Sequence, residues 1–214
     1  VRAVRSDGFE GEIRLAITNL PPGLVMSEAA IPEKADLTRF TITASKQVEE
    51  KLVSPTVTGL ATINDQTVIR YAVPVDDQMQ AFLYRHLVPA GELMLAPAAD
   101  RLPLSFEARM PKSGVIEVAI GEQAHILFKG RLHTKGVALK LDNPPEGLTG
   151  KEGWLWRDKK IKNGAAGRIY LNATDPLKPG DQFSLVVAAE VRKGKEKKRY
   201  YAPAIPVRIV EPRP

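Results

Sequence analysis

The phrase Asn19-Leu20-Pro21-Pro22-Gly23-Leu24 returns as Asn143-Pro144-Pro145-Glu146-Gly147-Leu148, 124 residues further along the chain. At that offset Val1–Leu24 lies on His125–Leu148 without a gap. Ile13 meets Val137, Leu15 meets Leu139, Ile17 meets Leu141, and Asn19, Pro21, Gly23 and Leu24 meet identical residues. Further on the offset grows by a few residues, as loop insertions require. Phe40–Ala44 then falls on Ile169–Ala173, Tyr71-Ala72 on Tyr201-Ala202, and Pro74-Val75 on Pro206-Val207 after one small slip. A match of this length is a duplicated domain rather than a solenoid of short repeats. The phrase itself reads as a corner. Proline brings no N–H to a ladder and stops a strand from continuing. The glycine supplies a backbone conformation that other residues resist, and the leucine turns the chain back toward a core.

Between the corners the sequence alternates with period two. Ile13, Leu15 and Ile17 share one face of Glu12–Thr18, and Val137, Leu139 and Leu141 share one face of Val137–Leu141. Such alternation marks half-buried antiparallel strands. Leu104–Ala108 and Val115–Ile120 read as strands of the second unit that the first lacks, and Phe183, Leu185, Val187 and Ala189 alternate inward near its end. The predicted fold is all-β: two tandem immunoglobulin-like antiparallel β-sandwich domains, the first lacking its initial strand or strands. The predicted boundaries are residues 1–76 for the first sandwich, 77–101 for a linker and 102–214 for the second. Glu92–Ala96 adds a candidate strand. Asp77–Leu87 is the best helix candidate, with Met79, Phe82, Leu83 and Leu87 on one stripe. An irregular linker between Pro74 and Pro89 is the competing reading.

The chain has no Cys, which excludes disulfides and thiolate metal sites and leaves the apolar faces to hold each sandwich. It has no apolar run that could span a bilayer, so a soluble chain without membrane insertion is expected. It opens on Val1 rather than Met, which predicts a fragment or processed piece whose upstream residues, including any export signal, are missing.

Gly8-Phe9-Glu10-Gly11-Glu12-Ile13-Arg14-Leu15, then Asn19–Leu24, Ile31-Pro32-Glu33-Lys34 and Phe40–Ala44, resemble the Ig-like repeats of large exported bacterial proteins, which often also carry pre-peptidase C-terminal-type domains. The stretch Gln80–Pro89 resembles the linker found after such repeats. The resemblance covers roughly residues 1–96 and is looser in the second unit, where Arg131–Gly136 replaces the Gly-Phe-x-Gly phrase. It implies an exported location (periplasmic, cell-surface or secreted) and a non-catalytic sandwich, and supplies no active-site residues.

The residues themselves offer little chemistry. There is no G-x-S-x-G elbow, H-E-x-x-H, phosphate loop or dinucleotide fingerprint. His125 and His133 flank one strand and cannot jointly chelate, so with His86 they read as surface histidines. Asp175 and Asp181 bound a Pro/Gly turn whose oxygens could hold Ca²⁺, though a solvated turn is the simpler reading. No cofactor and no metal is expected. Charge is uneven: residues 1–96 hold 9 Lys/Arg against 12 Asp/Glu, and residues 97–214 hold 22 against 13. Lys193, Lys195, Lys197 and Lys198 form a basic hairpin tip in Arg192–Arg199. Its functional reading is a finger for phosphate or an acidic glycan; its simpler reading is a charged guard against edge pairing.

Trp154-Leu155-Trp156 is the unusual feature. In a strand both indoles share one face. At the offset of 124 Leu155 falls on Ile31, so if Ile31 points inward the indoles point outward, beside Arg157, Lys159 and Lys160. Outward Trp beside cations can seal a domain contact or stack on a sugar ring. The expected function is a structural or interaction module of an exported or cell-surface bacterial protein, as spacer, adhesion element or scaffold. The alternative is a carbohydrate-binding accessory domain using the Trp pair. Expected partners are other domains of the same polypeptide or a surface protein assembly, with a glycan as the alternative; nucleic acid is not expected, because exposed aromatics are not interleaved with the basic turns.

Overall fold

In the computed structural model, which describes residues 1–6, 8–45, 47–79, 84–97, 104–133, 136–158, 164–193 and 196–212, every regular element is a β-strand. Among the described residues no helix is long and apolar enough to cross a membrane. The fold is all-β with several antiparallel sheets and is compatible with a β-sandwich. The chain divides into two units, the first Val1–Leu37 with Ile42–Asp100 and the second Thr38–Thr41 with Arg101–Pro214.

The first unit holds β1 (Ile13–Thr18), β2 (Leu24–Met26), β3 (Ala30–Ile31), β4 (Ile42–Ala44), β5 (Thr56–Ile63), β6 (Gln66–Tyr71), β7 (Val75–Met79) and β8 (Arg85–Pro89). They form a sheet in the order β3-β1-β5-β6 and two pairs, β2-β4 and β7-β8. Among the described residues Leu24, Ala29, Ile31, Val48 and Val57 are its buried hydrophobic side chains. The opening stretch makes only a bridge, Arg2 to Leu37, and is tied down by Arg5. The Arg5 guanidinium donates to the carbonyls of Phe9 (2.8 Å), Gly11 (3.0 Å), Pro32 (3.2 Å) and Ala35 (2.9 Å), and lies 5.6 Å from the Phe9 ring centre. A planar fork is what four carbonyls on two loops require, so Arg5→Lys is expected to cost nearly as much as Arg5→Ala, about 2 kcal/mol in urea denaturation. Full rescue by lysine would show that charge alone matters there.

The expected linker, residues 77–101, is structured where it is described. β7 and β8 pair from Val75↔Pro89 to Met79↔Arg85, so the helix candidate Asp77–Leu87 is extended at both ends; its Phe82 and Leu83 lie outside the described residues. A short helix between two prolines closes few internal hydrogen bonds. Strand pairing satisfies the backbone of the described residues and places Leu87 opposite Asp77, on the face of Val75 and Met79. All ten residues of the two strands are exposed. The Ala90 N–H donates to the Pro74 carbonyl at 2.8 Å and closes the neck. Beyond it, Val53 and Leu95 exchange both backbone hydrogen bonds, at 2.9 and 2.8 Å. Replacing Val75–Pro89 by a two-residue turn is therefore expected to change unfolding free energy by less than about 1 kcal/mol. Loss of the cooperative transition would show instead that the hairpin holds the unit together.

The second unit holds β9 (Leu104–Ala108), β10 (Ile116–Ala119), β11 (Gln123–Leu132), β12 (Gly136–Leu141), β13 (Leu148–Asp158), β14 (Gly164–Ala173), β15 (Gln182–Leu185), β16 (Val187–Lys193), β17 (Glu196–Tyr201) and β18 (Ile205–Val210). One sheet has the order β17-β16-β12-β13-β14-β11-β9 and the other β10-β18-β15, where β10 runs parallel to β18. The alternation Phe183–Ala189 is one run in sequence but changes sheets at Val186: β15 pairs with β18, and β16 pairs with β12 and β17. Both sheets thus face one core, in which Val118, Ile126, Phe128, Leu155, Ile169, Leu171 and Ile209 are at most 1% exposed. Phe40 and Thr41, expected in a strand with Ile42–Ala44, belong here instead. The Arg39 guanidinium donates to the Asp142 carbonyl (3.0 Å), and the Ala204 N–H donates to the Thr41 hydroxyl (2.8 Å).

The two units share their pairing register. Adding 124 carries Ile13↔Ile31 and Arg14↔Ala30 onto Val137↔Leu155 and Ala138↔Trp154. Leu24↔Ala44 and Met26↔Ile42 correspond to Leu148↔Ala173 and Gly150↔Leu171. Leu15↔Gly59 and Thr58↔Tyr71 correspond to Leu139↔Ala189 and Ala188↔Tyr201. The corners match as well. Asn19 and Asn143 have φ of 60° and 42°, and Gly23 and Gly147 have 89° and 85°. The N–H of each corner leucine reaches back to its proline carbonyl, Leu24 to Pro21 at 3.2 Å and Leu148 to Pro145 at 3.1 Å.

Candidate functional site: the outer face of the large sheet

β13 pairs with β12 on one side and β14 on the other, with a register shift between Lys151 and Trp154. Such irregularities re-aim the side chains beyond them. Gly153 sits at the shift. A Cβ there would lie 2.8 Å from the Leu139 carbonyl oxygen and 2.9 Å from Ile169, so only glycine lets the three strands close over the core at this point. Past it the alternation resumes. Leu155 is 0% exposed, while Trp154 is 54% and Trp156 42% exposed. Ile31 is buried in the first unit, so the inference from the offset gives the correct direction for both indoles.

The neighbours across the sheet are small. Trp156 lies between Gly136 and Ala166, and Trp154 between Ala138 and Arg168. Three of these four neighbours carry no more than a methyl group, and the fourth is Arg168. Arg168 leans back so that its guanidinium carbon is 6.0 Å from the Trp156 ring centre and 5.5 Å from that of Tyr170. Tyr170 in turn meets His125 edge-on, at 6.3 Å between ring centres. The result is a strip, Trp156–Arg168–Tyr170–His125, with Trp154 beside it. It runs over three strands whose other side is the buried core. A guanidinium over aromatic faces contributes about 0.5–1 kcal/mol at such exposed positions and leaves its outward N–H edge free to meet an acceptor.

The cation of this face differs from the one expected. Arg157 follows Trp156 directly, so it alternates to the other side of β13, and its pairing partner is Ala165. Lys159 lies outside the described residues. Arg168, from β14, supplies the charge beside the rings. The strands expected to carry the basic tip pair as a hairpin requires. Its flanks are paired strand, Arg192↔Lys197 and Lys193↔Glu196, with Lys197 and Lys198 exposed. Lys195 and the side chain of Lys193 lie outside the described residues. Arg199 is exposed and pairs with acids, 3.4 Å from Asp142 and 3.9 Å from Glu190. Asp181 serves its own turn: its carboxylate accepts the Lys178 N–H at 2.8 Å.

Arg168 and Tyr170 are the members of the strip that the sequence did not single out, and His125 was read there only as a surface histidine. Arg168 and Tyr170 alternate with Ile169 and Leu171, so their outward direction was legible; their meeting with Trp156 depends on cross-strand register. Compared with known proteins, the chain matches no family model and no curated sequence.

Proposed function

We propose that the chain is a non-catalytic interaction module of an exported or cell-surface bacterial protein, made of two copies of one immunoglobulin-like sandwich, with its contact face on the second. The sandwich reading is supported by strand order. β9-β11-β14-β13 follows the A-B-E-D neighbours of such domains and β12-β16-β17 follows C-F-G, the two halves being joined here by the β12–β13 pairing into one sheet. The two-copy reading is supported by the shared registers and by the matched corners. The contact face rests on one observation, the pair of indoles more than 40% exposed on a sheet backed by a closed core. Large aromatics held rigidly in solvent are the usual anchors of a binding surface.

The experiment is fractionation of the native cells. Wild-type protein is expected with the surface or matrix fraction. The variant carrying Trp154→Ala and Trp156→Ala is expected to keep its circular dichroism and to move several-fold toward the soluble exported fraction. Equal distribution of the two proteins would remove the contact face from the account, and wild-type protein confined to the cytosol would remove export. Carbohydrate binding is the second reading, favoured by two exposed indoles flanked by the small residues Gly136, Ala138 and Ala166.

A further inference from the structure

We propose that the Trp154–Trp156 face binds an acidic glycan, a polysaccharide whose sugar rings carry carboxylates; this rests on the contact face argued above and names its ligand. Three features of the face select that chemistry. The first is accessible flat apolar surface. Trp154 and Trp156 stand two residues apart on one strand, about 7 Å along it, with glycine or alanine at three of their four cross-strand positions. The C–H faces of adjacent pyranose rings can lie on such a pair.

The second is charge. The outward positions of β11–β14 that are described hold five cations, Lys129, Arg131, Lys140, Lys151 and Arg168, against one acid, Asp158. Lys129 and Lys140 have acids on the neighbouring strands, Glu107 at 3.0 Å and Glu190 at 3.6 Å. The remaining positive charge is centred on Arg168, whose planar fork is pinned by two rings and suits bidentate capture of a carboxylate. An anionic occupant complements this face, and a neutral one leaves it unmatched.

The third is the polar row beyond Tyr170 and His125. Thr149, Asn172 and Gln123 are paired in register across three strands, which offers donors and acceptors to sugar hydroxyls. A protein partner fits less well, because lysine is depleted from the centres of protein interfaces. Single-stranded nucleic acid fits less well too. It calls for a basic groove that tracks a phosphate at every unit, whereas this face is a sheet with its cations spaced apart.

The test is affinity electrophoresis of the 214-residue chain in gels containing polygalacturonate, a neutral glucan, or oligo-dT, at low and high salt. The variants are Trp156→Ala, Arg168→Gln and Lys112→Gln, the last an exposed lysine on a loop away from the face. Retardation is expected in polygalacturonate, weakened about tenfold or more by Trp156→Ala and by Arg168→Gln, and unchanged by Lys112→Gln. Weaker retardation at high salt is expected as well. Equal affinity for the neutral glucan with no effect of Arg168→Gln overturns the acidic class. Binding to oligo-dT alone overturns the glycan. Absence of retardation in every gel overturns the inference, and together with loss of surface retention in the Trp double variant it leaves the contact face standing with a protein as its occupant. Denaturation curves for each variant separate lost binding from lost folding.

Discussion

Leu155→Ala is expected to lower unfolding free energy by about 2–5 kcal/mol, and Trp154→Ala or Trp156→Ala on either side of it by about 1 kcal/mol or less. The three residues are consecutive, so local sequence and position in the strand are nearly constant across the series. What differs is direction. Leu155 is 0% exposed and belongs to the shared core with Ile169 and Leu171, so truncation removes transfer energy and leaves a cavity that close-packed neighbours fill only in part. Each indole already meets water over about half its surface, and Trp156 adds only a solvent-facing contact with Arg168. Urea denaturation should show the midpoint falling steeply for Leu155→Ala at an unchanged slope. Similar losses at all three positions would mean that the indoles belong to the core.

Gly147→Ala is expected to cost on the order of 3 kcal/mol. Two effects combine there. The backbone is left-handed, with φ of 85°, which alone penalises a side chain by about 1 kcal/mol or more. A Cβ would also press on the carbonyl of Thr174 and stand 3.0 Å from that of Asp175. Both are backbone atoms, and Thr174 is fixed by its N–H bond to the Gly147 carbonyl at 2.9 Å. Gly121 separates the two effects. It has φ of 74°, but a Cβ there would meet nothing within 4 Å, so Gly121→Ala should show the conformational cost alone. If the two variants melt alike, the corner is not crowded.

Strands of the second unit were legible where its core is built from a period of two: Val137 and Leu139 alternate with Ala138 and Lys140, and Ile169 and Leu171 with Arg168, Tyr170 and Asn172. The corners were legible because proline and a left-handed glycine leave few alternatives. Two kinds of information were not. One is where a run changes sheets. Phe183–Ala189 alternates without a break, yet its partner changes at Val186, because both sheets face the same core and side-chain direction need not change. The other is pairing across strands. Met79 and Leu87 suit a helical stripe, but they also suit a hairpin, and only the pairing Asp77↔Leu87 separates these. The same limit hid the strip. Trp156, Arg168, Tyr170 and His125 come from three strands, and nothing in any one strand announces that Arg168 lies between two rings.

With two tryptophans in the chain, both on the proposed face, fluorescence excited at the red edge, where the five tyrosines do not absorb, reports on that face. The direct measurement is quenching of the native protein by iodide and by acrylamide, in wild type and in Trp154→Phe and Trp156→Phe. Both indoles should emit as water-exposed fluorophores and be quenched nearly as readily as in the unfolded chain, with iodide helped by the cation of Arg168. Emission characteristic of an apolar interior, protected from both quenchers until the protein unfolds, would place the indoles inside the sandwich and contradict the contact face.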